Sequence, residues 1–269
     1  MRMRIAIAGA VIGTAAGITI GRTVRWWRTW GYDPREDAKA LPGDDLVPTP
    51  NGVITRGITI DAPPEAVWPW LVQMGFGRAG WYSYDRMDMQ GGSAKTIVPG
   101  WQKLAIGDVM PVSPDGGFVV KAVETGRALV LFTDTEVVES QAAKTFEPSS
   151  DIPAGLVASG AILGQIPKDF AASWAFALEP LDGGHTRLIE RFRIHVGGAG
   201  ATFRVVGPFI GFGVFVMMQR QMIGLRARAV LTAVAPTVAT PVATGSLRPK
   251  SNGHAVEPAI PHEVVVAGI

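Results

Sequence analysis

The sequence predicts an α+β domain, an antiparallel sheet followed by one long C-terminal helix. Between residues 53 and 196, six stretches read as strands, several alternating apolar with polar residues and set off by glycine-rich turns. No strand–helix–strand unit of a parallel sheet interrupts them. Residues 201–232 then place Val205, Phe209, Phe212 and Val216 at spacings of three and four, the repeat of a helix with one buried face.

Composition narrows the function. The 269 residues hold no cysteine, which excludes disulfides, a thiol nucleophile and Cys-ligated zinc or iron–sulfur sites. Net charge is +2, but the first 30 residues hold Arg2, Arg4, Arg22, Arg25 and Arg28 and no acid, so residues 31–269 carry 20 basic against 23 acidic groups. No basic run survives outside the N-terminus, and a nucleic-acid partner loses its main argument.

The N-terminal segment, residues 1–30, reads as a membrane anchor. Residues 5–21 carry no charge, the lower limit of a span, and residues 22–30 (RTVRWWRTW) form a Trp/Arg collar of the kind found at bilayer interfaces. Gly9, Gly13, Gly17 and Gly21 fall on one helical stripe, along which a second copy could pack closely as a homo-oligomer. The alternative is a cleaved signal peptide, with residues 14–16 as its small-residue site. Cations on the C-terminal side outnumber those before residue 5, which favours a cytoplasmic domain. Residues 31–50, with Pro34, Pro42, Pro48 and Pro50, read as a linker.

The main domain spans residues 51–232. Residues 53–61 form a strand with Ile54, Ile58 and Ile60 on one face. A helix follows through Ala66, Val67, Trp68, Trp70 and Leu71. Pro63 and Pro64 suit its first turn, and Pro69 predicts a kink. Gly75, Gly77 and Gly80 end it, and residues 81–89 read as a second short helix. Strands follow at 109–112, 118–124, 128–133, 172–181 and 186–196, with Asp182, Gly183 and Gly184 turning the last hairpin. Residues 134–169 make a long, largely apolar insert, read either as a lid or membrane-dipping loop or as a short packed helix. In the C-terminal helix, Pro208 and Gly211 kink or delay the start. Residues 233–269 read as a disordered tail.

This order of elements resembles the helix-grip architecture of the START/polyketide-cyclase superfamily (SRPBCC, Bet v 1-like). The wording is also similar to that of an actinobacterial branch: DDLVP at 44–48, ITIDAPPEAVWPWLVQMG at 58–75, GRAGWYSYDRMD at 77–88, SWAFALEPLDGGHTRLIERFR at 173–193 and MMQRQMIGLRARA at 217–229. The resemblance covers roughly residues 44–230. It implies a curved sheet gripping the long helix with a cavity between. Members of this fold carry lipids, hormones, quinones or polyketides, and only some catalyse.

Strand parity selects the candidate ligand-binding residues. Trp174 and Phe176 share one face of their strand, and Glu190 and Phe192 share the corresponding face of the next. Arg187, Arg191, Arg193 and His195 fall on the opposite face, expected to be solvated. Phe212 and Val216 oppose the apolar face from the helix. A carboxylate at Glu190 is costly unless paired, protonated or wet, so it either meets a ligand or bonds a neighbouring arginine. Trp81, Tyr82, Tyr84 and Asp85 form an aromatic cluster with one carboxylate, either a cavity mouth or a core corner. No histidine has metal-ligand spacing, and phosphate-loop and nucleophile-elbow motifs are missing, so neither metal nor cofactor is expected. Three functions remain. The first is a membrane-tethered carrier of a hydrophobic small molecule. The second is a cyclase/dehydratase-like enzyme using Glu190, Tyr84 or Asp85 as acid or base. The third is an oligomeric interaction module with a filled cavity.

Overall fold

The computed structural model describes residues 22–88, 92–114, 116–142, 169–198 and 200–234. The anchor segment 5–21, its glycine stripe, most of the 134–169 insert and the 233–269 tail beyond Val234 lie outside them; residues 233 and 234 are the last of the long helix rather than tail. Among the described residues, no helix is long and apolar enough to cross a membrane.

Among the described residues, six antiparallel strands form one open sheet in the order β1-β6-β5-β4-β3-β2. They are β1 (Gly52–Ile60), β2 (Val109–Ser113), β3 (Gly116–Glu124), β4 (Ala128–Asp134), β5 (Phe170–Leu181) and β6 (His185–Val196). The β5–β6 hairpin closes as its turn residues predict. Leu181 pairs with His185 across a three-residue loop in which Gly183 and Gly184 both take positive φ. The first strand, β1, pairs with the last, β6, from Gly52↔Ile194 to Ile60↔Thr186.

Among the described residues the helices are α1 (residues 22–29), α2 (Pro34–Ala38), α3 (Pro64–Val72), α4 (Asp85–Asp88), α5 (Thr135–Ala142) and α6 (Gly200–Val234). Helix α4 is shorter than the 81–89 helix the sequence suggests, because Tyr82 sits at φ 58, outside helical geometry. Helix α5 opens the long insert, with the Asp134 carboxylate accepting from the Val137 N–H. Pro64 lies in the first turn of α3, and Pro69 and Pro208 lie inside α3 and α6.

The main core lies on the inner face of the sheet. Ile58, Ile60, Leu129, Leu131, Phe176, Leu178 and Leu188 pack there with Val67, Trp70 and Leu71 of α3 and with Met222, Leu225 and Ala229 of α6. Alternation along the strands puts them on one side, and α6 supplies the opposing stripe.

The outer face departs from expectation. It is covered, not solvated, and residues 31–50 are the cover rather than a free linker. Arg191 is fully buried and donates to the carbonyls of Glu36, Asp37 and Lys39 and to the Asp44 carboxylate at 2.6 Å. Arg187 pairs with Glu36 at 2.6 Å, and Arg193 donates to the Val47 carbonyl. Leu41 packs on Ala177 and Ile189 in a second small core. Gly43, at φ 87, passes so close to Val130 that a side chain there would collide with it. The arginines are spaced like a wet strand face, but each finds carbonyl and carboxylate acceptors supplied by the preceding segment.

The Trp-rich collar is also engaged within the chain. Trp26 and Trp27 meet Phe212 edge-on, and Trp26 and Trp30 meet Phe215, so α1 lies on α6. Arg56 of β1 donates to the Trp27 carbonyl at 2.9 Å, and the Gly57 N–H donates to the Gly31 carbonyl at 2.7 Å. Arg22, Arg25 and Arg28 remain exposed.

Candidate functional site

The hairpin register assembles the site. Phe176 lies opposite Glu190 and Trp174 opposite Phe192, all on the inner face. Trp174 therefore sits diagonal to Glu190, and its indole N–H donates to Glu190 Oε1 at 2.7 Å. Glu190 is fully buried, and among the described residues its second oxygen, Oε2, has no hydrogen-bond partner. Burial pushes the Glu190 carboxyl up to about 8, and the Trp174 N–H only partly offsets that. At neutral pH the acid holds its proton. The arginine partner that the sequence left open is not realised. Arg56 faces Glu190 in the β1–β6 ladder, yet its guanidinium lies over the rings of Phe215 and Tyr32 and donates to the carbonyls of Trp27 and Thr55.

An aromatic group surrounds this carboxyl. Trp81 stacks on Trp174 with ring centres 5.1 Å apart and planes within 13°. Phe118, Phe176 and Phe192 pack on Trp174 at 5.8, 5.2 and 6.0 Å, and Phe118 meets Phe192 at 6.4 Å. Phe176 is fully buried, whereas Phe118, Trp174 and Phe192 are half-buried although they face inward. The aromatic side chains next to the fully buried acid are therefore only partly covered at this end of the sheet. Phe118 is a site residue that the sequence analysis passed over. Its parity with Val120, which pairs with the inward Leu131, was the available signal.

The Trp81–Asp85 cluster divides. Trp81 belongs to the aromatic group. Tyr82 is a core corner: its hydroxyl donates to the Trp70 carbonyl and accepts from the buried Gln73, and Arg228 of α6 lies over its ring at 4.5 Å. Burial pushes the Tyr82 phenol up to about 12. Asp85 accepts from Ser93, whose oxygen accepts from the Tyr82 N–H. Tyr84 is exposed. Asp85 and Tyr84 are thus not brought to Glu190, so the three candidate acid–base residues do not converge. Phe212 is half-buried and lies under Trp26 and Trp27, and Val216 is half-buried beside it on α6. Among the described residues, no cluster of three or more His, Asp or Glu side chains could hold a metal ion.

The chain matches no family model and no curated protein. Similar solved structures include protein MLL2253 from Mesorhizobium loti, 18% identical, covering 67% of this chain and 98% of that one with a TM-score of 0.36. A second is the hypothetical protein jhp0584 from Helicobacter pylori, at 11% identity, 71% and 96% coverage and a TM-score of 0.41. A third is CalU16 from Micromonospora echinospora, at 14% identity, 67% and 87% coverage and a TM-score of 0.28.

Proposed function

We propose that this chain is a membrane-tethered binding protein of the helix-grip type. It holds a hydrophobic small molecule, such as a lipid, quinone or polyketide-like compound, between the sheet and the long helix. One observation carries the reading: half-buried inward aromatics, Phe118, Trp174 and Phe192, stand around a buried carboxyl with one open oxygen. Apolar walls with one placed polar group are the usual make-up of a small-molecule site. A core built only for stability gains nothing from an unpaired acid. The tether reading rests on the uncharged 5–21 segment followed by exposed arginines.

The test is native mass spectrometry with organic extraction of the full chain, purified from its own host in mild detergent. A stoichiometric apolar molecule supports the reading. A protein that arrives empty and takes up neither lipid, quinone nor polyketide probes overturns it. Recovery of the full chain in alkali-washed membranes checks the tether.

A second reading has its own support. A carboxyl that titrates near neutral pH suits proton transfer, as in a cyclase/dehydratase-like enzyme. In that case Glu190→Gln abolishes turnover of a polyketide substrate and leaves its binding intact.

A further inference from the structure

We infer that the open Glu190 oxygen is the docking point for an uncharged hydrogen-bond acceptor, a carbonyl oxygen carried by an otherwise apolar ligand. The inference rests on the binding reading above and specifies its chemistry. Trp174 donates to Oε1 and so takes up one oxygen as an acceptor. The proton of the neutral acid then belongs on Oε2, the atom without a partner. Across the ladder, Arg56 Nε is also buried and unpartnered. Both open positions are donors, on neighbouring strands of one face. The group missing from this row is an acceptor, and a carbonyl oxygen offers two lone pairs. A carboxylate ligand would bring a buried charge to a site whose cation, Arg56, already lies over two aromatic rings. A ketone, ester or quinone oxygen brings none.

The neighbourhood makes the pH response readable. Of the described groups facing Glu190, β1 contributes Arg56, which stays charged. From β5 come Trp174 and Phe176, and the buried residues of α3, which packs on β5 and β6, include no titratable group. The Tyr82 phenol, pushed up to about 12, stays neutral below that.

The experiment uses the full chain with two probes, dodecan-2-one and dodecane, at pH 6 and pH 9.5. Affinities are read by native mass spectrometry and tryptophan fluorescence. The hydration of the free probes does not change with pH, so the ratio of ketone to alkane affinity isolates the Glu190 proton. Losing the donated bond should lower this ratio about tenfold from pH 6 to pH 9.5. The Glu190→Gln variant, whose amide donates at both pH values, should hold a constant ratio. If both probes bind and the wild-type ratio does not move with pH, the carbonyl inference is overturned and the binding reading stands. If neither probe binds at either pH, both are overturned.

Discussion

Replacing Glu190 with glutamine should invert in sign with pH. In the folded chain the Glu190 carboxyl keeps its proton up to about 8, whereas the ordinary value is 4.5. Between those values the folded state binds more protons than the unfolded state, so stability falls as pH rises through this window and levels off above it. The window spans about 3.5 pH units at about 1.4 kcal/mol each, or ~5 kcal/mol in all, about 4 of it between pH 5 and pH 9. Glutamine keeps the shape and can still accept from Trp174, but it has no proton to lose. Its extra unpartnered N–H costs ~1–2 kcal/mol. The variant should therefore be less stable than wild type by that amount at pH 5 and more stable by ~2–3 kcal/mol at pH 9. Urea denaturation of both proteins at pH 5, 7 and 9 measures the difference, and the comparison cancels groups common to the two. A difference that stays constant across the three values would refute the assignment of Glu190 as a buried neutral acid.

Three further perturbations probe the frame around it. Trp174→Phe removes the bond that holds the Glu190 carboxyl down, so the pH at which stability levels off should move above about 8, with ~1–2 kcal/mol lost at pH 6; the same denaturation series reads both. Arg191→Met removes the guanidinium that bonds the Glu36, Asp37 and Lys39 carbonyls and leaves Asp44 with only the Leu41 N–H and the more distant Arg193, and breaking such a buried pair should cost ~3–5 kcal/mol. Hydrogen exchange should then rise across residues 34–47 before the rest of the sheet. Gly224→Ala would ordinarily stabilise a helix interior by ~1 kcal/mol. Here the added Cβ meets the Tyr82 carbonyl, so a loss of ~2–3 kcal/mol is expected, read as a lowered Tm.

How much of this was legible beforehand follows from the range of each interaction. Strand parity is a local property with a period of two, and it placed Trp174, Phe176, Glu190 and Phe192 on one face from sequence alone. The three-residue turn at 182–184 was equally local. It set the register that brings the Trp174 indole to the Glu190 carboxyl. Helical spacing likewise marks residues 201–232 as one helix, but it picks the wrong face: Phe209 is exposed and Phe212 and Val216 are half-buried, while Phe215, Met218, Met222, Leu225 and Ala229 are the buried stripe. These features need only neighbouring residues to be specified.

Tertiary structure decided what each polar group meets. Arg187, Arg191 and Arg193 have the spacing of a solvated face. Only the path of residues 31–50 over β6 gives them buried acceptors. Tyr82 and Asp85 look like ligand groups until Gln73, Ser93 and Arg228 arrive from three other segments and occupy them. The Trp collar has the composition of a bilayer anchor, but the rings of Trp26, Trp27 and Trp30 find Phe212 and Phe215 nearly two hundred residues away. Arg56 could have neutralised Glu190, and α1 and Phe215 hold it elsewhere. The face a side chain takes is set by backbone period. Its partner, and therefore its protonation state, is set by chain segments that periodicity does not encode, and for Glu190 that difference separates a structural ion pair from an open acid.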